Sequence, residues 1–389
     1  MSFRHKKAAV LLLFLAFVLL AGCSQSAVPA TPLRPTEQAT STAAPTKAAA
    51  ATLLPTESPT AILEPALTPT AEPGAEGLSA EQAASLGSLE QVDGYPLYTM
   101  SYQGDYSRQA GRLWETGPDI STLGWACSLF ASLSDEEQVF GRNFDWQYSP
   151  ALLLFTDPAD GYASVSMVDI AYLGYGGPRS RKLLDLPLAE RKGLLAAPHW
   201  PFDGMNEHGL AVGMAAVPPG GMAPDPAKRT LGSLGIIRQV LDHARDVDEA
   251  LTIFQEHNVD FRGGPPLHYL LSDRSGRAVL VEFYEGEMLI IPNEQPWHRA
   301  TNFLRASVEP VDGGSAEGHC WRYDRIEATL SQAGGRLGRD EALDLLGQVA
   351  QDSTQWSIVY DQHSGDVLVA MGRQYGEPHT LHLPLNPRP

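Results

Sequence analysis

From Ser24 to about Leu78 the chain is almost wholly Ala, Pro, Thr and Ser with scattered Glu, and this tract limits what the rest can be. It holds too little apolar surface to offset its chain entropy, so it is expected to be disordered. As a flexible coil it would make a tether of about 40 Å, longer where Pro stiffens it, and its Thr and Pro density also suits a glycosylated stalk. Folding is left to residues 79–389, about 310 positions, enough for one large core. No second linker interrupts them, so one domain is expected.

The first residues state an address. Arg4, His5, Lys6 and Lys7 precede an unbroken apolar run from Ala8 to Leu20, and Leu20-Ala21-Gly22-Cys23 closes it. The run is short for a membrane span and charged on one side, the pattern of an export signal with a lipidation box. The expected division is therefore a signal peptide over 1–22 and a lipidated Cys23 with its tether over 23–78. A possible propeptide or docked N-terminal strand follows over 79–126, with a catalytic-type domain over 127–389. Acyl chains on Cys23, as in bacterial lipoproteins, would hold the protein at a membrane outside the cytoplasm, since each buried methylene contributes ~0.8 kcal/mol. A formal charge of -18 and a pI near 5.0 argue against nucleic acid or an anionic lipid surface as partner.

Chemistry concentrates after residue 126. Ala126-Cys127-Ser128-Leu129-Phe130-Ala131-Ser132 reads as a strand, Ser134-Asp135-Glu136-Glu137 as a polar turn, and Val139 to Phe144 as the return strand. The hairpin brings Gly141-Arg142-Asn143-Phe144-Asp145-Trp146 back toward Cys127. An Arg beside a thiol favours the thiolate, the nucleophilic form, and an Asp nearby can orient a base. The plain alternative is that Cys127 is a buried small hydrophobe. No Gly-x-Ser-x-Gly elbow is present, and Gly232-Ser233-Leu234-Gly235 has the wrong spacing. The eleven His show no metal-site spacing, so neither metal nor cofactor is expected.

These blocks resemble the start of the mature chain in the choloylglycine hydrolase and penicillin V acylase family, the linear amide C-N hydrolases with an N-terminal nucleophile. The likeness continues in order through Phe202-Asp203-Gly204-Met205-Asn206-Glu207-His208-Gly209-Leu210-Ala211-Val212, then Thr301-Asn302 and Trp321-Arg322-Tyr323. It covers roughly residues 95–375. The resemblance implies an α+β fold, a four-layer αββα sandwich of two antiparallel sheets between helix layers. It also implies a catalytic set of Cys127, Arg142, Asp145, Asn302 and Arg322 acting on a small N-acyl amide. An N-terminal nucleophile uses its own α-amine as base, so the chain should be cut between Ala126 and Cys127. Asp145 would then hold the α-ammonium, Asn302 would donate to the oxyanion, and Arg322 would complete the charge frame. Hydrolysis, acyl transfer on the same fold, and a catalytically inactive ligand-binding lipoprotein are the readings in play.

Two departures from the family pattern stand out. Ala216 lies about where bile-salt hydrolases carry a second oxyanion Asn, and Leu97-Tyr98-Thr99-Met100-Ser101-Tyr102 reads as a strand inside the possible propeptide. Asn206-Glu207-His208-Gly209 is expected as a turn beside the pocket, with His208 outside the chemistry. Tyr172 to Gly176 and Trp200-Pro201-Phe202 suggest an apolar acyl pocket. Cys320 is expected as a buried lone thiol, since the other two cysteines are assigned. A helix is expected from Leu231 to Ala244 with Thr230 as its cap. A second follows Asp246, and others span 323–332 and 340–349. Strands are expected at 268–272, 278–283 and 288–291, and a hairpin pairs 356–360 with 367–371.

Overall fold

A computed structural model describes residues 77–107, 126–134, 137–308 and 320–386. The expected signal peptide, the lipidated Cys23 and most of the tether lie outside the described residues. Two large sheets carry the fold. The first has nine strands in the order β1 (Glu90–Asp93), β2 (Leu97–Ser101), β5 (Ala151–Thr156), β6 (Ser164–Asp169), β7 (Asp203–Asn206), β8 (Ala211–Ala216), β11 (Leu267–Ser272), β12 (Ala278–Tyr284) and β13 (Glu287–Pro292). The second has six, in the order β14 (Trp297–Ala300), β3 (Ala126–Leu133), β4 (Gln138–Asp145), β15 (Thr354–Asp361), β16 (Asp366–Met371) and β17 (His379–His382).

Alternation along the strands decides the layering, because successive side chains leave opposite faces. From β3 and β4, Cys127, Leu129, Ala131, Phe140 and Phe144 enter the core between the sheets, joined by Leu153, Met167, Met205 and Val212 from the other sheet. The alternate residues Phe130 and Val139 face away, into a second core with Ile326, Leu330, Leu343 and Leu346. Those come from two helices, Trp321–Ala333 and Arg339–Gln348, which cover the six-stranded sheet. Asn143 ties that cover down by donating Nδ2 to the Leu346 carbonyl at 2.9 Å.

The opposite flank is covered by helices Ala80–Gly87, Gly235–His243 and Val247–Glu256 and by short 3-10 turns between 170 and 199. Asn206 fixes one of these helices by donating to the carbonyls of Leu241 and Ala244 at 3.1 and 2.7 Å. Helix, sheet, sheet, helix is the αββα sandwich expected of the α+β class. All nine-stranded neighbours are antiparallel except β2 and β5, which run parallel from Leu97↔Ala151 to Ser101↔Phe155. That pairing makes β1 and β2 one edge of the nine-stranded sheet, where Tyr98 and Met100 pack with Leu152, Leu154 and Leu86.

The expected helix from Leu231 starts late. Arg229–Gly232 is instead a strand, β9, pairing in parallel with β10 (His257–Asp260), and the helix begins at Gly235. Apolar residues at helical spacing do not exclude a strand when a partner edge is available. Asp246 caps the next helix as expected, its carboxylate accepting the Glu249 N–H at 2.9 Å. Gly141 has a packing reason: a Cβ there would lie 2.5 Å from Phe130 Cζ.

Candidate active site

The residues singled out in the sequence lie up to 195 positions apart and meet at one end of β3. Cys127 is second in that strand, fully buried, and is a free cysteine. The antiparallel register pairs Cys127 with Phe144 and Ala126 with Asp145, so the hairpin delivers Arg142 and Asp145 together. Arg142 and Asp145 are three positions apart, however, and an odd spacing sends them to opposite faces of the sheet.

Arg142 enters the space between the sheets with the thiol. Its Nη2 is 3.5 Å from Cys127 Sγ, its Nε donates to the Met214 carbonyl at 3.2 Å, and Nη1 is ion-paired with Asp203. Asp203 also accepts from the Tyr360 hydroxyl at 2.5 Å. A fully buried guanidinium needs this much compensation, since an unpaired charge in a low-dielectric interior is very costly.

Asp145 faces the helix side. It accepts from Thr354 Oγ1 at 2.5 Å, from Gln351 Nε2 at 2.6 Å and from Arg322 Nη1 at 3.5 Å. Arg322, in the first turn of the helix that follows Cys320, also donates to the Cys127 carbonyl and, at 2.9 Å, to Ser128 Oγ. Asn302 closes the ring. Its Oδ1 accepts the Cys127 N–H at 2.7 Å and Arg322 Nη2 at 2.9 Å, while its Nδ2 donates to the Ala216 carbonyl at 2.8 Å. In the intact chain the nitrogen that would become the α-amine is thus held by Asn302 rather than by Asp145.

Burial raises the Cys127 pKa above its ordinary value, against Arg142 and Arg322, whose charges lower it. The thiol is therefore protonated at neutral pH while the chain is intact.

Beside the thiol runs a line of aromatic rings. Phe144, the register partner of Cys127, stacks on Trp356 at 4.2 Å and meets Phe202 edge-on at 5.3 Å. Phe202 stacks on Tyr172 at 5.7 Å, and Tyr172 on Trp200 at 6.4 Å. Tyr172 and Trp200 are half-buried, so the line reaches from the surface to the neighbour of Cys127.

Ala216, which has no side-chain donor, gives its carbonyl to Asn302. Two expectations need correction. The Asn206 to Gly209 turn is not beside the site; it closes the far end of the β7–β8 hairpin from Asp203 and Ala216. Cys320, buried before its helix, is disulfide-bonded rather than a lone thiol.

Asp203, Tyr360, Thr354 and Gln351 were not anticipated as partners. Strand alternation contained the signal for Asp203: Arg142 shares the inward parity of Phe140 and Phe144, so a buried counter-charge had to exist. Among the described residues, no group of His, Cys, Asp and Glu is arranged to hold a metal ion.

Residues 201–371 match the family model of acyl-coenzyme A:6-aminopenicillanic acid acyl-transferase. A mutant conjugated bile acid hydrolase from Clostridium perfringens is 16% identical, with 66% of this chain and 92% of that chain covered at a TM-score of 0.47. Penicillin V acylase from Agrobacterium tumefaciens is 17% identical, with 66% and 84% covered at a TM-score of 0.43. TM-scores under one half add no argument of their own. The matched segment is the one that supplies Asp203, Asn302 and Arg322, so the likeness to that acyl-transferase family takes in three of the side chains gathered around Cys127.

Proposed function

We propose that the mature protein cleaves a linear, non-peptide N-acyl amide through a thioester on Cys127. The observation that carries this reading is the convergence on one cysteine of an Arg at its sulfur, an Asn at its nitrogen and a second Arg at its carbonyl. A buried structural cysteine needs none of them.

The chemistry follows from the geometry. A cut between Ala126 and Cys127 frees the α-amine, whose pKa of about 7.7 suits it to take the thiol proton. The thiolate attacks the amide carbonyl, and negative charge moves to the carbonyl oxygen. Asn302 Nδ2 carries two N–H groups and Ala216 takes one, so the second is the donor for that oxyanion. The C–N bond breaks as the α-ammonium returns its proton to the leaving amine. Water then attacks the thioester, giving the carboxylic acid and the free thiol. An amine acceptor in place of water would make the same intermediate an acyl transfer, a reading favoured by the acyl-transferase model that matches residues 201–371. The aromatic line from Trp200 to Phe144 supports an apolar acyl group.

The test is turnover of penicillin V, conjugated bile salts, N-acyl homoserine lactones and fatty-acyl amino acids by the wild type and by Cys127→Ala. The variant should be inactive; turnover that survives it undiminished sinks the mechanism. Intact mass of the purified protein reports the cut at Cys127 at the same time.

We also propose that the protein is anchored outside the cytoplasm by acyl chains on Cys23, as the charged start and lipidation box suggest. Cys23→Ser should release it.

A further inference from the structure

The turn that delivers Asn302 is itself held from behind. Two strands that are otherwise apolar and aromatic, Leu267-His268-Tyr269-Leu270-Leu271 and Ala278-Val279-Leu280-Val281-Glu282-Phe283, are each interrupted by one titratable group of the acid or imidazole kind. Both are buried, His268 to 1% and Glu282 to 0% exposure. His268 Nδ1 lies 3.0 Å from Glu282 Oε1, which places the ring proton on Nδ1 toward the carboxylate. Glu282 Oε1 also accepts the Arg305 N–H at 2.8 Å, and Oε2 accepts that of Ala306 at 2.9 Å. Those amides open the 3-10 turn Arg305–Val308, three and four residues past Asn302.

The pair also borders the wall of the site. His268 is the register partner of Ala215 on β8, and the flanking Met214 and Ala216 give their carbonyls to Arg142 and Asn302. A Cβ at Gly213 would meet Leu129 and Phe140 of the other sheet, so Gly213, Ala215 and His268 share the face turned toward β3 and β4. A carboxylate left in that space without partners would be very costly. Here His268 and the Ala306 and Arg305 amides outweigh burial and keep the Glu282 pKa below its ordinary value.

We propose that Glu282, oriented by His268, is a positioning residue for acyl transfer: it fixes the turn after residue 302 so that the Asn302 carboxamide stays beside Cys127. This rests on the reading of Asn302 as the oxyanion donor. Acylation builds an oxyanion, whereas alkylation of a thiol by iodoacetamide does not, and the two reactions at Cys127 separate a positioning role from a structural one.

The experiment compares acylation of the purified, matured protein by 4-nitrophenyl acetate with its alkylation by iodoacetamide, both read at Cys127 by peptide mass. Glu282→Gln should slow acylation about tenfold and leave alkylation within about twofold; in an Asn302→Ala background it should add less than about twofold, because the two act through one group. His268→Asn, which keeps an N–H donor where Nδ1 stood, should stay near the wild type, while His268→Leu should match Glu282→Gln. These two variants carry the test if Glu282→Gln fails to fold. Equal slowing of acylation and alkylation, or a Glu282→Gln effect undiminished in the Asn302→Ala background, overturns the proposal. Asn302→Ala with unchanged acylation overturns the oxyanion reading beneath it, and is told apart by that single variant.

Discussion

Two buried arginine–aspartate pairs in this molecule look alike on paper and differ in how they are built. Arg142 and Asp203 are 61 residues apart, on different sheets, and fully buried. Every nitrogen of Arg142 has an assigned partner: Met214, Asp203 and the Cys127 sulfur. Arg238 and Asp242 are four apart on one helix, with Nη2–Oδ1 at 2.8 Å. Arg238 also donates to Ser164 Oγ at 2.6 Å, while its Nε and Nη1 have no hydrogen-bond partner among the described residues. The second pair borders a cavity of about 320 Å³ lined by Tyr106, His199 and Asp242. A local pair needs only helix geometry. The distant pair exists only because two sheets are stacked in one register, and that is the kind of arrangement that can hold a thiol to about half an ångström.

The strongest way to break this comparison is to remove each arginine. Arg142→Leu leaves Asp203 buried without its cation and should cost about 3–5 kcal/mol of stability along with all turnover. Arg238→Leu should lower the melting temperature and leave turnover within about threefold, since its pair sits away from Cys127. Equal loss of activity in both variants would erase the distinction. A double variant, Arg142→Leu with Asp203→Leu, should recover much of the stability lost by the single one while staying inactive, as thermal unfolding and turnover measured together would show.

A smaller effect is expected at Asn302. Replacing it with Ala should lower kcat by about a hundredfold or more if its amide meets the oxyanion, with little change in KM. A rise in KM alone would assign Asn302 to substrate binding instead.

Subtler still is the pH response of Cys127 in the uncut chain. Its pKa is raised, chiefly by burial and against the lowering charge of Arg142, so the neutral thiol persists above the pH at which a free cysteine ionises. Alkylation of the uncut protein at neutral pH should therefore be slower than that of a free cysteine and should climb with pH beyond the ordinary thiol range of about 8.5. Fast alkylation of the uncut form at pH 7 would mean that Arg142 outweighs burial.

The smallest predicted change is at Gly141. A methyl there would meet the Phe130 ring at 2.5 Å, on the face opposite Arg142. Gly141→Ala should cost about 1–3 kcal/mol through overpacking, with kcat largely retained in the folded fraction.

Local pattern alone determined a good deal. The β3–β4 hairpin, the Asp246 cap, the β11–β12–β13 meander and the β15–β16 hairpin follow from alternation and turn chemistry, whose causes lie within a few residues. Ordered motif blocks brought Cys127, Arg142, Asp145, Asn302 and Arg322 into consideration, and all five lie around one strand end. Tertiary structure decided what those motifs touch. The partnership of Arg142 with Asp203, the hold of Asn302 on the Cys127 nitrogen, and the parallel insertion of β2 beside β5 join residues 54 to 175 positions apart. Such pairings depend on sheet order and stacking, which no window of sequence contains. Arg229–Gly232 makes the same point in reverse: its apolar spacing suits a helix, and the free edge of β10 made it a strand.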